Sequence, residues 1–548
     1  MELSPAARLL LERRYLLPGE TPDALFARVA GAVGGPERSR EFFSLLSRLL
    51  FLPNSPTLMN AGTPAGQLSA CFVLPIEDTL EGIFTSLAHM ALIHRSGGGT
   101  GFSFSRLRPR GDAVNGVVGA ASGPVSFMRV FDAATGAVRQ GGRRRGANMG
   151  VLAASHPDIE EFVTAKRAGG LRNFNLSVGI DERFLRCLAT GKDYDLTNPR
   201  DGSVSRSIDP ASLWRLIAAS AHASGEPGVL FLDEINRQST TPHLGPIEAT
   251  NPCGEQPLYP YESCNLGSVN LARCIKNHDI DEDLLATVVR CGIDFLDAVI
   301  DANRFPLPVI REKTLATRKI GLGVMGFAEA LIRLGIPYES DEALRFAGKL
   351  MEGIEALARE RSGELGAVKG SFPAIEGSVY TDDMRNATVT TIAPTGSLHL
   401  IAGTTSGIEP VFSFAYSRVI DGQQVAIVSD LVRELLPATA GGMDVAEHVR
   451  RHGTVEGLPL ADHTRDLFRT AVDIAPEHHV RMQAAFQRHV DNAVSKTVNL
   501  KETATAGEIA RIFSLARDLG CKGITVYRYR SRPDQVLSRG CDVCIVDD

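Results

Sequence analysis

The first fifty residues carry apolar positions at helical spacing, with Leu9 and Leu10, then Phe26 and Val29, then Phe42, Leu45 and Leu49 falling on shared faces. Ser4-Pro5 and Thr21-Pro22 each place a hydroxyl N-cap before a proline at the first helical position. A small helical region over 1–52 is expected. From about Pro53 the pattern changes to short β-rich apolar runs separated by helical stretches. Strands are expected over 71–76, 174–180, 229–232, 387–392 and 523–527. Helices are expected over 79–93, 210–224, 284–302, 327–334 and 506–519, the last opened by Thr505 and Glu508 at capping-box spacing. Strands alternating with helices predict an α/β architecture with much parallel sheet. Residues 421–478 read as a helical insertion with a polar loop. Residues 531–548, rich in charge and glycine, read as a mobile tail. The expected organisation is therefore 1–52, 53–530 and 531–548.

At 548 residues the chain can hold several average domains or one large α/β barrel with appendages. A net charge of −6 points away from a nucleic-acid binder, whose footprint is usually basic. No apolar run reaches the roughly 18–20 residues that span a bilayer, and the N-terminus has charges inside its apolar stretch. A cytoplasmic protein acting on a small molecule or another protein is expected. Nine cysteines in so long a chain do not form a secreted disulfide framework.

The densest chemistry lies at Ala249-Thr250-Asn251-Pro252-Cys253-Gly254-Glu255. Pro252 and Gly254 flank the cysteine, which fits a turn or loop tip. Asn251 and Glu255 bracket the sulfur and could both bond a ligand above it. On residue types alone, a buried structural cysteine in a tight turn fits equally well. Cys264-Asn265-Leu266-Gly267-Ser268 follows, and Ser69-Ala70-Cys71-Phe72 lies far upstream. Cys541 and Cys544 form a C-x-x-C pair in the tail. Zinc would need four ligands and the tail offers two, so thiol–disulfide exchange suits the pair better. Ser96-Gly-Gly-Gly-Thr-Gly101 lacks the Gly-Lys-Ser ending of a Walker loop and alone reads as a flexible turn. Arg143-Arg144-Arg145 alone reads as a solvated basic cluster.

Taken in order, these segments resemble the ribonucleotide reductase catalytic subunits. Asn251–Glu255 with Cys264–Ser268 resembles the family's active-site finger loop. Pro56-Thr-Leu-Met-Asn-Ala-Gly-Thr63, running into Ser69-Ala-Cys71, resembles its first substrate segment. Ile392-Ala-Pro-Thr-Gly-Ser-Leu398, leading to Ser406-Gly-Ile-Glu-Pro410, is similar to the phosphate loop, and Gln140-Gly-Gly-Arg-Arg-Arg-Gly146 to the specificity loop. The resemblance implies a ten-stranded α/β barrel around a finger loop. It implies Cys253 as the transient thiyl radical, Glu255 as general base, Asn251 as orienter of the sugar hydroxyls, and Cys71 with Cys264 as the reducing pair. Cys541 and Cys544 would reduce the resulting disulfide and be reduced by a thioredoxin-like protein. Ser55, Ala70, Gly99, Pro394, Thr395, Gly396, Ser397 and Leu398 would contact the ribonucleotide substrate. Asp78, Gln140 and Arg145 would serve a deoxynucleotide or ATP specificity effector, at a site built in a homodimer with residues 79–93 at the interface.

The resemblance also bears on the radical source. Oxygen-dependent relatives pass the radical through two adjacent tyrosines; here the run is Tyr527-Arg528-Tyr529, and Arg528 breaks it. The eleven-residue gap between Cys253 and Cys264 is similar to the cobalamin-dependent class, and no Arg-x-x-Gly-Tyr signature of the glycyl-radical class is present. Adenosylcobalamin is the implied cofactor, with no metal site of the protein's own. The Asp-x-His-x-x-Gly motif of many B12 enzymes is absent, as it is from reductases of this class, so the cobalamin site is not pinned to residues. The stretch before Pro53 is short for an ATP-binding activity domain, and no overall on/off switching by ATP and dATP is expected. The readings kept beside this one are an oxygen-dependent large subunit with a radical-generating partner, a catalytically silent nucleotide-binding homologue, and a simple dithiol oxidoreductase.

Overall fold

A computed structural model describes residues 3–114, 116–117, 119–138, 146–167, 169–420, 423–531 and 537–539. Gln140, Arg145, Cys541 and Cys544 lie outside the described residues.

The N-terminal helices form where the caps place them. α1 (Pro5–Arg14) is capped by the Ser4 hydroxyl and α2 (Pro22–Ser47) by that of Thr21. Leu10, Leu11, Phe26, Val29 and Phe42 are buried on their inner faces. A short strand β1 (Phe51–Pro53) and helix α3 (Ser55–Asn60) lead into the main sheet.

That sheet has ten strands. β2 (Cys71–Leu74), β3 (Gly99–Ser103), β4 (Asn148–Ala153), β5 (Phe174–Ile180) and the strand Gly228–Phe231 run parallel to one another in chain order. The strand Ser263–Asn270 returns antiparallel to β2 and carries Ile320–Met325 parallel on its other side. At the far end Gly523–Arg528 lies antiparallel to Gly228–Phe231 and parallel to Thr497–Leu500. Both Ser263–Asn270 and Ile320–Met325 are buried along their whole length, as strands covered on both faces must be.

Residues 387–392, expected as a strand, make only isolated bridges, Thr390 with Leu322 and Ile392 with Val494. They nevertheless join the two ends of the sheet. Leu322 N donates to Val389 O at 2.7 Å, and Ile392 N donates to Ala493 O at 3.1 Å. Gly323 makes this crossing possible, because a Cβ there would sit 2.0 Å from Thr391 O.

The other expected elements appear with ends shifted by a residue or two, as helix fraying allows. The strand Phe174–Ile180 and the helices Pro210–Ser224 and Phe327–Leu334 match in full, and Thr505 with Glu508 forms the capping box. The region 421–478 differs from the expected helical insertion. Gln423–Val428 pairs antiparallel with Ala415–Ile420, and short helices follow, Asp430–Leu435, Val445–His452 and Asp462–Leu467, with a small strand pair of Thr439–Ala440 and Met443–Asp444 between the first two. Part of the expected tail is also ordered: Leu537–Arg539 adds to Ala415–Ile420 as a third strand. Among the described residues no helix is long and apolar enough to cross a membrane.

Candidate active site

The segment bearing Cys253 is a tight hairpin packed against the middle of the sheet. Ala249–Thr250 pairs antiparallel with Pro257–Leu258, and Asn251 N donates to Gln256 O at 3.1 Å. The Asn251 side chain closes the turn by accepting from Gln256 N at 3.0 Å. Gly254 takes φ +82°, a left-handed conformation that glycine alone adopts freely. The loop is gripped from both sides. Asn175 Nδ2 donates to Pro252 O at 2.8 Å, while Thr391 Oγ1 and Ala493 N donate to Glu255 O at 3.0 and 2.9 Å. β3 passes so close that a Cβ on Gly101 would fall 1.7 Å from Thr250 O, and one on Gly99 would fall 2.9 Å from Pro252 Cγ. Within the Gly-rich run, Ser96 and Gly97 form a turn after the helix, while Gly99 and Gly101 are strand positions that make room for the hairpin.

Sequence distance vanishes at the paired thiols. Cys264 is the direct antiparallel partner of Cys71, and such partners have Cα atoms about 4.5–5.5 Å apart, within the range a disulfide spans. Both are buried, and desolvation raises both thiols well above the ordinary cysteine range. The nearby carboxylate of Glu255 adds to the rise at each, and Cys253 adds to that at Cys71. Both therefore stand as neutral thiols. Asn251 Nδ2 lies 3.1 Å from Cys71 Sγ. Cys253, Glu255, Asn251, Cys71 and Cys264 form one cluster, with Glu255 buried and Cys253 exposed at the tip.

Cys253 opens onto a cavity of about 1500 Å³, which Pro394, Gly396 and Tyr527 also line. That exceeds the roughly 300–1,000 Å³ of a common small-molecule pocket. Ala70 and Gly99 lie beside the thiol pair, Gly99 N donating to Ala70 O at 2.8 Å. Ser55 bonds the Tyr15 hydroxyl at 2.8 Å and does not line the cavity. Thr395 has φ +48°, and its hydroxyl accepts from Gly407 N at 2.9 Å, while Ser406 Oγ bonds Pro394 O. The backbone N–H groups of Gly396, Ser397 and Leu398 have no backbone acceptor among the described residues. Ser397 precedes the short helix Leu398–Ala402 and makes no side-chain cap.

Asp78 stands just before α4 (Leu80–Arg95) and is engaged by Arg108, which donates to it from Nε at 2.7 Å and from the backbone at 3.1 Å. Arg528 lies at the end of its strand, donating to His222 O and Glu502 O at 3.0 and 3.2 Å. Cys274, Cys291 and Cys521 are buried away from the cluster, their thiols raised by burial, to about 12 at Cys274 and Cys521.

Sequence reasoning passed over Lys496. Its ammonium is fully buried 2.6 Å from Glu409 and 3.0 Å from His479 Nδ1. Glu409 also accepts from Thr497 N at 2.7 Å, so the pair ties the 406–410 turn to the sheet. Glu409 sat inside a motif already singled out; an isolated lysine beside Ser495 gave no signal.

A cysteine on a rigid hairpin tip, over two facing thiols and beside a deep cavity, defines a thiol redox enzyme. The model for the "Ribonucleotide reductase, barrel domain" matches residues 69–384 and 378–527, and that for the "Ribonucleotide reductase, all-alpha domain" matches residues 1–66. The chain is 50% identical over 561 residues to a vitamin B12-dependent ribonucleoside-diphosphate reductase of Mycobacterium tuberculosis (strain CDC 1551 / Oshkosh), covering 98% of this chain and 81% of that one. It is 49% identical over 523 residues to a protein of the same description from Thermoplasma acidophilum, covering 94% and 68%. A vitamin B12-dependent ribonucleotide reductase of Streptomyces clavuligerus is 31% identical over 579 residues, covering 90% and 60%. The chain belongs to the ribonucleotide reductase family.

Proposed function

We propose that this chain reduces ribonucleoside diphosphates to 2'-deoxyribonucleotides by a thiyl-radical mechanism with adenosylcobalamin. The observation that carries the reading is the convergence of Cys253, Glu255 and Asn251 with the facing pair Cys71 and Cys264. The B12-dependent relatives support the cofactor, and so does a cavity at Cys253 with room for more than a nucleotide. When bound, adenosylcobalamin supplies a carbon-centred radical from its weak cobalt–carbon bond.

The Cys253 sulfur, left as a thiyl radical, takes the 3'-hydrogen of the ribose. An S–H bond is close enough in strength to that C–H bond for the exchange to be nearly balanced. The Glu255 carboxylate takes the 3'-hydroxyl proton as general base. Asn251 orients the hydroxyls, and the 2'-hydroxyl leaves as water on gaining a proton. Cys71 and Cys264 give up two electrons and two protons in becoming a disulfide, and their neutral state suits that delivery. Cys253 then returns its hydrogen to C3' and regains the radical. Cys541 and Cys544 reduce the disulfide by exchange and are reduced in turn by a thioredoxin-like protein.

Backbone groups of Ala70 and Gly99 and residues 394–398 hold the substrate, and the Ser55 hydroxyl joins them only on leaving Tyr15. Asp78, Gln140 and Arg145 read a deoxynucleotide or ATP effector across a homodimer. The exposed Leu80 and Phe84 on α4 support that surface as the interface. The purified chain alone, given adenosylcobalamin, a dithiol and CDP, is expected to form dCDP. Turnover that requires a second, radical-generating subunit overturns the cofactor reading; no turnover under either condition overturns the activity.

A further inference from the structure

Many partly buried arginines in this chain meet carboxylates, and Arg528 meets two backbone carbonyls instead. Arg28 lies 2.7 Å from Glu20, Arg318 2.7 Å from Asp297 and Arg361 2.9 Å from Asp294. Such pairing is expected, because a desolvated charge costs free energy unless it is compensated. Arg418 breaks the pattern. It stands on the strand Ala415–Ile420 and lines the cavity that holds Cys253. Its Nη2 donates to Gly396 O at 3.0 Å, which fixes the guanidinium against the 394–398 loop. Among the described residues the groups acting on it are Tyr416, a second cation, Arg14, and Tyr15, with no carboxylate. Burial and Arg14 together draw its proton affinity down, the mark of a cation short of a counter-charge.

The loop it touches has the opposite deficit. The backbone N–H groups of Gly396, which is exposed, and Ser397, which is half-buried, are neutral donors. His399, half-buried beside them on the cavity wall with its Nδ1 on Thr395 O, is held neutral by desolvation with its pKa lowered to about 4. Nothing else in the 394–399 loop carries positive charge. Neutral donors and an uncompensated guanidinium, aimed at one corner of one cavity, make a phosphate site. A planar fork of donors suits phosphate oxygens better than a point charge does.

We propose that Arg418 is a substrate-binding residue, whose guanidinium neutralises the phosphates of a nucleoside diphosphate seated on residues 394–398. This rests on the reductase reading for the identity of the substrate. Cobalamin also carries a phosphate, so the test separates the two sources. Arg418→Gln in the full chain weakens CDP binding about 10- to 100-fold by calorimetry, the loss expected for one charge-assisted contact. It raises KM for CDP by a like factor with kcat within about twofold. Inorganic pyrophosphate, a competitor of CDP in the parent, loses potency to the same extent, and Arg418→Lys recovers part of the affinity. Half-saturation by adenosylcobalamin does not move. Unchanged CDP binding in Arg418→Gln, or a shift confined to cobalamin, overturns the assignment. The calorimetric arm needs no turnover, so an Arg418-dependent CDP site on a chain with no reductase activity would sink the activity and leave the phosphate site standing.

Discussion

The closeness of β3 to the finger hairpin can be tested with one methyl group. In Gly101→Ala the new Cβ would sit 1.7 Å from Thr250 O and 2.8 Å from Thr250 C. Both neighbours are backbone, so no side chain can swing away. Restoring an ordinary carbon–oxygen contact needs a displacement on the order of 1.5 Å, and the hairpin is the thinner of the two elements. A shift of about 1 Å at a reacting group costs on the order of 100-fold in rate, or about 2.7 kcal/mol on the barrier. Overpacking itself costs about 1–3 kcal/mol of stability. Gly99→Ala is the graded control, because the only close contacts of its Cβ are with the Pro252 ring, Cγ at 2.9 Å and Cδ at 3.2 Å, a ring edge that can pucker. The assay is dCDP formation at saturating adenosylcobalamin and dithiol, with CDP affinity measured separately. The expected order of activity is parent, then Gly99→Ala, then Gly101→Ala at one-hundredth or less, with the two variants folded and binding CDP. Full turnover by Gly101→Ala would refute the claim that Cys253 is placed by this contact.

Cys253→Ser should abolish dCDP formation while the melting temperature and CDP binding stay near those of the parent; residual turnover would remove the sulfur from its radical role. Cys541→Ser should allow about one product per site and then stop with a thioredoxin system, as rapid-quench product counts will read. Asp78→Asn should blunt the response to added deoxynucleotides more than basal turnover, and equal losses in the two would dismiss the effector assignment. His94 is buried, bonded to Thr100 at 2.9 Å, and lowered to about 4. Its unfolded form binds a proton near pH 6.5, so its contribution is intact above that and is lost as pH falls toward 4. Urea melts at pH 7 and 5 should show that His94→Gln loses less stability on acidification than the parent, by about 2 kcal/mol.

Local chemistry was legible wherever it is written in consecutive residues. The hydroxyl–proline pairs at 4–5 and 21–22 and the box at Thr505 and Glu508 gave helix starts that the backbone adopts. Pro252 and Gly254 announced a turn, and a turn is there. What the residue types alone left open was whether the turn displays its cysteine or buries it, because the answer lies in Gly99 and Gly101, far upstream in the chain. Pairing across the sheet is likewise invisible locally; only resemblance put Cys71 beside Cys264. The strand at 423–428 does not follow the helical reading of 421–478, because it and its partner at 415–420 are largely half-exposed and mixed in polarity, which blurs the period of two. Arg418 and Lys496 left no trace for the same reason. Their meaning comes from what faces them, not from what precedes them.

Because Cys71 and Cys264 face each other on adjoining strands, every round of reduction would also fasten and unfasten the molecule. Oxidised, the crosslink closes a loop of roughly 190 residues, which chain-entropy arguments value at about 5 kcal/mol against unfolding. The enzyme that has just released its product is then mechanically tougher than the one ready for the next substrate. A melting curve therefore doubles as a redox gauge, reporting without any chemical probe how much of a sample is spent and how much is armed.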